Sequence, residues 1–265
     1  MEMSLTLVGF ILLMLALVQY FAKLKKSQTP KSPRLLKSTM FIASALSLWG
    51  LATINYHFTV EVALTVFFAT NVLLTSATFA YFLATKSTPI GEIKVKVGDS
   101  LPHFELNGFN SESLKGKRIL LKFYRGSWCP YCSAELVMFE ALKPTLNKFN
   151  VEILGISNDS AQEQAAHIVR DAISMKLVSD LELSVIRQFG VEHHKGLGAT
   201  AEDTIYLFGI AIPMPWKMKF KAMAIPTSIL INECGKIVWI DQSEDYRIRA
   251  SEKAVMDAVT ANFAE

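Results

Sequence analysis

The apolar positions of the first 84 residues run together instead of alternating with polar ones. Residues 3–22, 39–56 and 62–84 contain no Asp, Glu, Lys or Arg, and at about 1.5 Å per helical residue each is roughly long enough to cross a hydrocarbon core of about 30 Å. This pattern predicts three transmembrane helices. The middle stretch is short and dotted with Ser and Thr, but its polar residues are scattered, whereas a helix lying in the interface gathers them on one face. The first stretch is preceded by Glu2 with no Lys or Arg, and no small-x-small cleavage site follows it, so it reads as an anchor and not as a cleaved signal peptide.

Beyond residue 93 the pattern changes to runs of strand length separated by helical periods. RILLKFY reads as a strand, CSAELVMFEALKPTLNKF as a helix with Pro144 near a kink, and VEILGIS as a second strand, which together make a βαβ unit. AQEQAAHIVRDAISM follows as a helix with Ala165, Ile168, Val169, Ala172 and Ile173 at helical spacing. The short KLVSD and the helical LSVIRQFG come next. TSILIN and KIVWID are strands joined through ECG, where Gly235 suits a tight hairpin turn, and SEKAVMDAVTANF closes the chain as a helix. The fold class is α/β, a three-layer sandwich preceded by three transmembrane helices. The domains are 1–86 in the membrane, a linker at 87–93 within the Ser/Thr/Pro/Gly-containing KSTPIGEI, and 94–265. Residues 205–223 form an apolar, aromatic and then basic insertion that Pro213 and Pro215 interrupt, which argues against a fourth span. It either packs on the domain or brings Trp216, Phe220, Lys217, Lys219 and Lys221 to a bilayer surface.

Charge fixes an orientation. Lys23, Lys25, Lys26, Lys31, Arg34 and Lys37 lie between the first and second apolar stretches, and HFTVE between the second and third has no Lys or Arg. The positive-inside rule puts the first link in the cytoplasm, the N-terminus outside, and everything after residue 84 inside. The first 90 residues hold 7 of the 27 Lys and Arg and 2 of the 24 Asp and Glu. The basic pI near 8.6 therefore belongs to the membrane part. No basic stripe in the remainder points to nucleic acid.

Three cysteines carry the candidate chemistry. Cys129 and Cys132 lie in FYRGSWCPYCSAEL, and Cys234 stands alone in the hairpin turn. A zinc site needs four ligands, commonly from paired elements, and the adjacent His193 and His194 read better as a solvated loop, so neither metal nor cofactor is expected. A structural disulfide is disfavoured in a reducing compartment. The pair therefore reads as reactive. Cys129 follows a strand and opens a helix, where free N–H groups and the helix dipole favour a thiolate, and Cys132 lies one turn on, placed to attack a mixed disulfide formed at Cys129. Pro130 suits the first helical turn. Trp128 either shields the thiol or is an ordinary core aromatic.

Trp128-Cys129-Pro130-Tyr131-Cys132 resembles the thioredoxin and glutaredoxin active site. VGDSLPHFEL, LKGKRILLKFYRGSWCPYCSAEL and EILGISND resemble the redoxin branch, the alkyl hydroperoxide reductase and thiol-specific antioxidant (peroxiredoxin-like) family, over about residues 97–251. AIPTSILINECGKIVWIDQSEDYRIRAS resembles the segment with the cis-proline of thioredoxin folds and the Asp-Tyr-x-x-Arg stretch of bacterial peroxiredoxin-like proteins. The resemblance implies a thioredoxin-like fold and a cis Pro226 facing Cys129, with Thr227 beside it and the backbone of Ile225 free to pair with a substrate. Typical peroxiredoxins place a Thr where this chain has Gly126, and an Arg where Pro226 stands. Arg125 is a substitute for the first, and Arg247 or Arg249 for the second, unless they are surface cations. Lys122 occupies the place of a buried thioredoxin Asp and lowers the thiol pKa if it points at the site.

The reading is a membrane-anchored thiol-disulfide oxidoreductase, with Cys129 attacking, Cys132 resolving and Pro226 shaping the groove. Its partners are protein thiols or disulfides, with peroxide as a further substrate, and the lipid bilayer. The expected location is a bacterial inner membrane with the redoxin domain on the cytoplasmic side. The alternatives are a peroxiredoxin-like thiol peroxidase, in which a sulfenic acid at Cys129 condenses with Cys132, and a non-catalytic adaptor.

Overall fold

The computed structural model describes residues 2–54, 59–207 and 209–264. The chain divides into two compact units, residues 1–24 with 29–86, and residues 25–28 with 87–265. The first unit holds α1 (Glu2–Lys25), α2 (Arg34–Ala52) and α3 (Val60–Ala84), each long and apolar enough to cross a membrane. Their outward positions are themselves apolar, with Leu15, Phe41, Trp49 and Phe67 all exposed, as a helix in contact with hydrocarbon requires. Small residues set the close approach between helices. A Cβ added at Gly9 would lie 3.1 Å from the carbonyl oxygen of Ala43, and one at Gly50 would lie 2.7 Å from a methyl of Thr6. Rings finish the packing, with Phe10 and Phe68 centred 5.3 Å apart. The end of the second expected span at Tyr56, and His57 and Phe58 of the link after it, lie outside the described residues.

The second unit opens with β1 (Glu105–Leu106) and β2 (Phe109–Asn110), a small antiparallel pair. It continues through β3 (Arg118–Phe123), α4 (Pro130–Asn147), β4 (Val151–Ser157), α5 (Ala161–Asp171), β5 (Lys176–Ser179), α6 (Ser184–Gln188), β6 (Glu192–Gly198), β7 (Thr204–Leu207), β8 (Ile210–Pro213), β9 (Lys219–Ala224), β10 (Thr227–Ile231), β11 (Ile237–Gln242) and α7 (Glu252–Phe263). The main sheet runs β11-β10-β3-β4-β5. β3, β4 and β5 are parallel, and β10 is antiparallel to both β3 and β11. This is the predicted sandwich: parallel strands with crossover helices, closed by a hairpin and a helix.

Alternation along β3 explains the layers. Ile119, Leu121 and Phe123 face a core shared with Phe104, Phe109, Ile186 and Phe189. Leu120 and Tyr124 face the opposite core, built from Leu136, Phe139 and Leu146 of α4 and Val255, Val259 and Phe263 of α7. Period two therefore places Lys122 on the α4 side.

Several details differ from the sequence reading. In α5 the buried positions are Gln164 and His167, while Val169 is 83% exposed, and Ala165 and Ala172 are also exposed. Gln164 reaches Ser157 Oγ of β4 at 3.5 Å and His167 Nε2 lies 3.2 Å from Ser133 Oγ of α4, while Ile168 packs on the apolar core. Residues 87–93 do not run free: Ser87 bridges Asp245, and the Thr88 N–H donates to the Glu244 carbonyl at 2.9 Å. The apolar insertion is a hairpin, β7 with β8, followed by β9, which pairs with β6. Ile210 and Ala211 are buried while Ile205, Tyr206, Leu207, Trp216 and Phe220 are exposed.

Candidate active site

β3 ends at Phe123, and the chain turns through residues 124–128 before α4. Cys129 is the N-cap of α4, with extended backbone, and Pro130 is the first helical residue. The N–H groups of Cys132 and Ser133 both donate to the Cys129 carbonyl at 3.0 Å. Gly126 has φ +135°, a backbone that glycine tolerates and side-chain-bearing residues rarely adopt. The Asp159 carboxylate holds the turn by accepting the Ser127 N–H at 2.8 Å. From the other side, Arg170 donates to the Ser127 carbonyl at 3.0 Å and to Ser133 Oγ at 2.8 Å.

Both thiols are buried and reduced, Cys129 1% and Cys132 0% exposed. Donors converge on Cys132. The Arg125 N–H reaches its sulfur at 3.4 Å and an Arg249 Nη at 3.3 Å, and the two thiols hydrogen-bond each other. Burial opposes ionisation of Cys132, yet the bond from Cys129 and the nearby Arg249 hold its pKa well below the ordinary thiol value. Burial and the bond to Cys132 push Cys129 the other way. The helix start alone pointed to Cys129 as the more acidic thiol. The donors seen in the structure converge on Cys132 instead, and in a dry site that strips solvation from both thiols such donors favour its thiolate.

Beneath Cys132 lies an ionic cluster. Lys122 Nζ stands 2.7 Å from Glu135 Oε1 and donates to Ser228 Oγ at 3.0 Å, while Arg249 Nε stands 2.9 Å from Glu135 Oε2. All three charged side chains are 5% exposed or less. Lys122 thus points at the site, and its influence on the thiols passes through Glu135. Arg247 is buried and paired with Asp245 at 2.7 Å, so neither it nor Arg249 is a surface cation. Arg125 is buried too. It lies over the Tyr246 ring at 4.2 Å and the Trp128 ring at 5.0 Å, and its guanidinium donates to the Leu197 carbonyl at 2.6 Å. Trp128 is 2% exposed and shares one cluster with both cysteines, so it shields the thiols and fills the core together.

The backbone around Pro226 differs from the expectation. Thr227 opens β10 opposite Phe123, so Pro226 lies at the end of the sheet from which the cysteine loop leaves. No cis peptide bond occurs among the described residues, so the bond before Pro226 is trans. Nor is the Ile225 backbone free: its N–H donates to the Val191 carbonyl at 2.7 Å, and its carbonyl accepts from Thr227 Oγ1 at 3.0 Å. Val191, just before β6, and the Thr227 hydroxyl have taken the groups that an extended substrate would use. Cys234 is exposed in the turn at the opposite end of the sheet.

Glu135 and Asp159 are absent from the sequence reading. Glu135 lies three residues after Cys132 in α4 and therefore shares its face. That spacing was the available signal, although an acidic residue in an amphipathic helix is most often solvated.

Comparison with known proteins gives the family. Peroxiredoxin Bcp of Escherichia coli (strain K12) is 27% identical over 130 residues, 47% of this chain and 83% of that protein. Thiol-disulfide oxidoreductase ResA of Halalkalibacterium halodurans is 26% identical over 149 residues, 54% of this chain and 66% of that protein. Among solved structures, peroxidoxin BcpB from Mycobacterium tuberculosis aligns with a TM-score of 0.45 and 23% identity, covering 63% of this chain and 95% of that one. Residues 97–240 match the AhpC/TSA family over more than half of the chain, and the protein belongs to that family.

Proposed function

We propose that the protein is a membrane-anchored thiol-disulfide oxidoreductase in which Cys129 and Cys132 carry two electrons from a dithiol to a protein disulfide. The observation that supports this most is a pair of buried thiols a helical turn apart with donors on the second sulfur, the Arg125 N–H at 3.4 Å and Arg249 at 3.3 Å. Cys129 passes its proton to the Cys132 thiolate as it attacks the substrate disulfide, forms a mixed disulfide and expels one substrate thiolate, which takes that proton and leaves Cys132 ionised again. The Cys132 thiolate then attacks Cys129 Sγ, closes the Cys129–Cys132 bond and expels the other. A donor-stabilised thiolate at Cys132 suits this resolving step. The three apolar helices and the basic first link support an inner-membrane anchor with the redox unit on the cytoplasmic side.

A second reading is favoured by the buried guanidiniums of Arg125 and Arg249 and by the relative named a peroxiredoxin. Cys129 would attack a peroxide, become a sulfenic acid and condense with Cys132 to release water. Gly126 supplies no side-chain donor for the developing oxygen charge, and loss of such a donor typically costs on the order of 100-fold in rate. The purified protein should therefore reduce a model protein disulfide readily and consume hydrogen peroxide little faster than an ordinary low-pKa thiol, with Cys129→Ser as the blank in both assays. Fast Cys129-dependent peroxide turnover would replace the first reading with the second. Cys132→Ser should trap the mixed disulfide and identify the partner.

A further inference from the structure

The cluster beneath Cys132 carries an uncompensated charge. Lys122 from β3 and Arg249 from the segment before α7 are two cations, and Glu135 between them is one anion, at 2.7 and 2.9 Å. With side chains so little exposed, solvent cannot neutralise the remaining positive charge. Placing an ion in such surroundings is costly unless it is paired. Arg249 joins the cluster to the redox centre, since one edge of its guanidinium faces Glu135 and another nitrogen lies 3.3 Å from Cys132 Sγ. The other groups facing Cys132 are Cys129 on the same helix, and Arg125 and Tyr124 on the preceding loop.

We propose that Lys122, Glu135 and Arg249 form a buried charge cradle with one net positive charge, which together with the Arg125 guanidinium favours Cys132 as a thiolate and so sets the pair's redox equilibrium toward the reduced state. The inference rests on the dithiol-disulfide reading of the pair. In balanced form, the Cys129–Cys132 disulfide takes two electrons from an external dithiol and a single proton, giving a Cys129 thiol and a Cys132 thiolate. Stabilising the reduced form by charge makes the disulfide easier to reduce, in the way that a stabilised reduced state makes a strongly oxidising dithiol protein. Glu135 is a positioning residue here. It holds Lys122 and Arg249 together and moderates their charge without touching the sulfur itself.

Glu135 and Lys122 make opposite predictions. Lys122→Met leaves the neutral Glu135–Arg249 pair and takes one positive charge from beneath the sulfur, so the disulfide should become at least about tenfold harder to reduce, about 30 mV for a two-electron couple. Glu135→Gln leaves two cations, so the disulfide should become easier to reduce by a comparable factor. Thiolate absorbance should follow, with the titration midpoint raised in the first variant and lowered in the second. If the cluster were only a structural brace, breaking it from either side would move both variants the same way.

The experiment is equilibration of the full chain in detergent against reduced and oxidised dithiothreitol, with the oxidised fraction read by alkylation and mass. The wild type alone gives a test that needs no variant to fold. Dithiothreitol releases two protons on oxidation. If the pair takes up one, the equilibrium constant should change tenfold per pH unit between about pH 6.5 and about pH 8, a range below the ordinary thiol value and above the Asp159 titration near 6. A constant independent of pH means two protons are taken up and overturns the cradle, as does a shift of the same sign in both variants. In either case reversible disulfide formation leaves the dithiol reading standing. A pair that forms no disulfide at any ratio overturns both.

Discussion

A Cβ placed on Gly126 would lie 2.6 Å from Oδ1 of Asp159. The backbone there is already at φ +135°, so the position is closed to the threonine found in typical peroxiredoxins for two independent reasons. Gly126→Thr should therefore lower stability by roughly 2–4 kcal/mol, combining overpacking with left-handed strain, and should not raise peroxide turnover. Urea unfolding beside a stopped-flow peroxide assay checks both. An unchanged midpoint would mean that the turn can relax around the new side chain.

Asp159 gives the fold a pH dependence of its own. Burial, then the nearby Glu163, push its pKa up to about 6, against the lowering effect of the Ser127 N–H and His167. The folded chain thus holds this proton more tightly than the unfolded chain. The contribution is present at low pH and is lost as pH rises from the ordinary carboxylate range through about 6, a change on the order of 3 kcal/mol. Asp159→Asn keeps an acceptor for the Ser127 N–H but cannot ionise. The difference in stability between the variant and the wild type should grow in the variant's favour across that window, and a pH-independent difference would show that Asp159 stays charged or neutral throughout.

Cys234 should be a bystander. It is exposed, in a turn at the end of the sheet away from the cysteine loop, so Cys234→Ser should leave disulfide turnover within about twofold of wild type. Loss of turnover would mean that resolution passes between molecules through this thiol.

The orientation inferred from the basic first link predicts that a reporter fused after residue 265 is active on the cytoplasmic side. Activity only on the outer side would place the dithiol in an oxidising compartment and make it a reductant fed across the membrane.

The three helices, the βαβ unit and the closing hairpin were legible because each has a distinct hydrophobic period: unbroken apolar runs, 3.6, and two. The Asp-Tyr-x-x-Arg stretch was legible as a motif, and the structure brings two of its members to the site, with Tyr246 against Arg125 and Arg249 against Cys132. What the sequence hid was polar burial. Gln164 and His167 face inward in α5 while Val169 faces out, and Glu135 is ionic at zero exposure. A rule that places charge outside and hydrocarbon inside inverts such positions, because their partners come from elements distant in the chain. The same limit applies to Cys129. Local helix geometry favoured it as the thiolate, while Arg249, which tips the balance, is 117 positions away from Cys132.

The link from the Arg125 guanidinium to the Leu197 carbonyl, with the second contact to Met223 Sδ at 3.1 Å, fastens β6 and β9 over a pair of thiols that show almost no surface. Encounter with a reagent is then not enough for reaction. The strands must first part, and once reagent is plentiful the rate should level off at the frequency of parting. A small alkylating agent and a large protein disulfide would meet the same ceiling. Selection among substrates at high concentration would then come from how often the cover opens and not from affinity for sulfur.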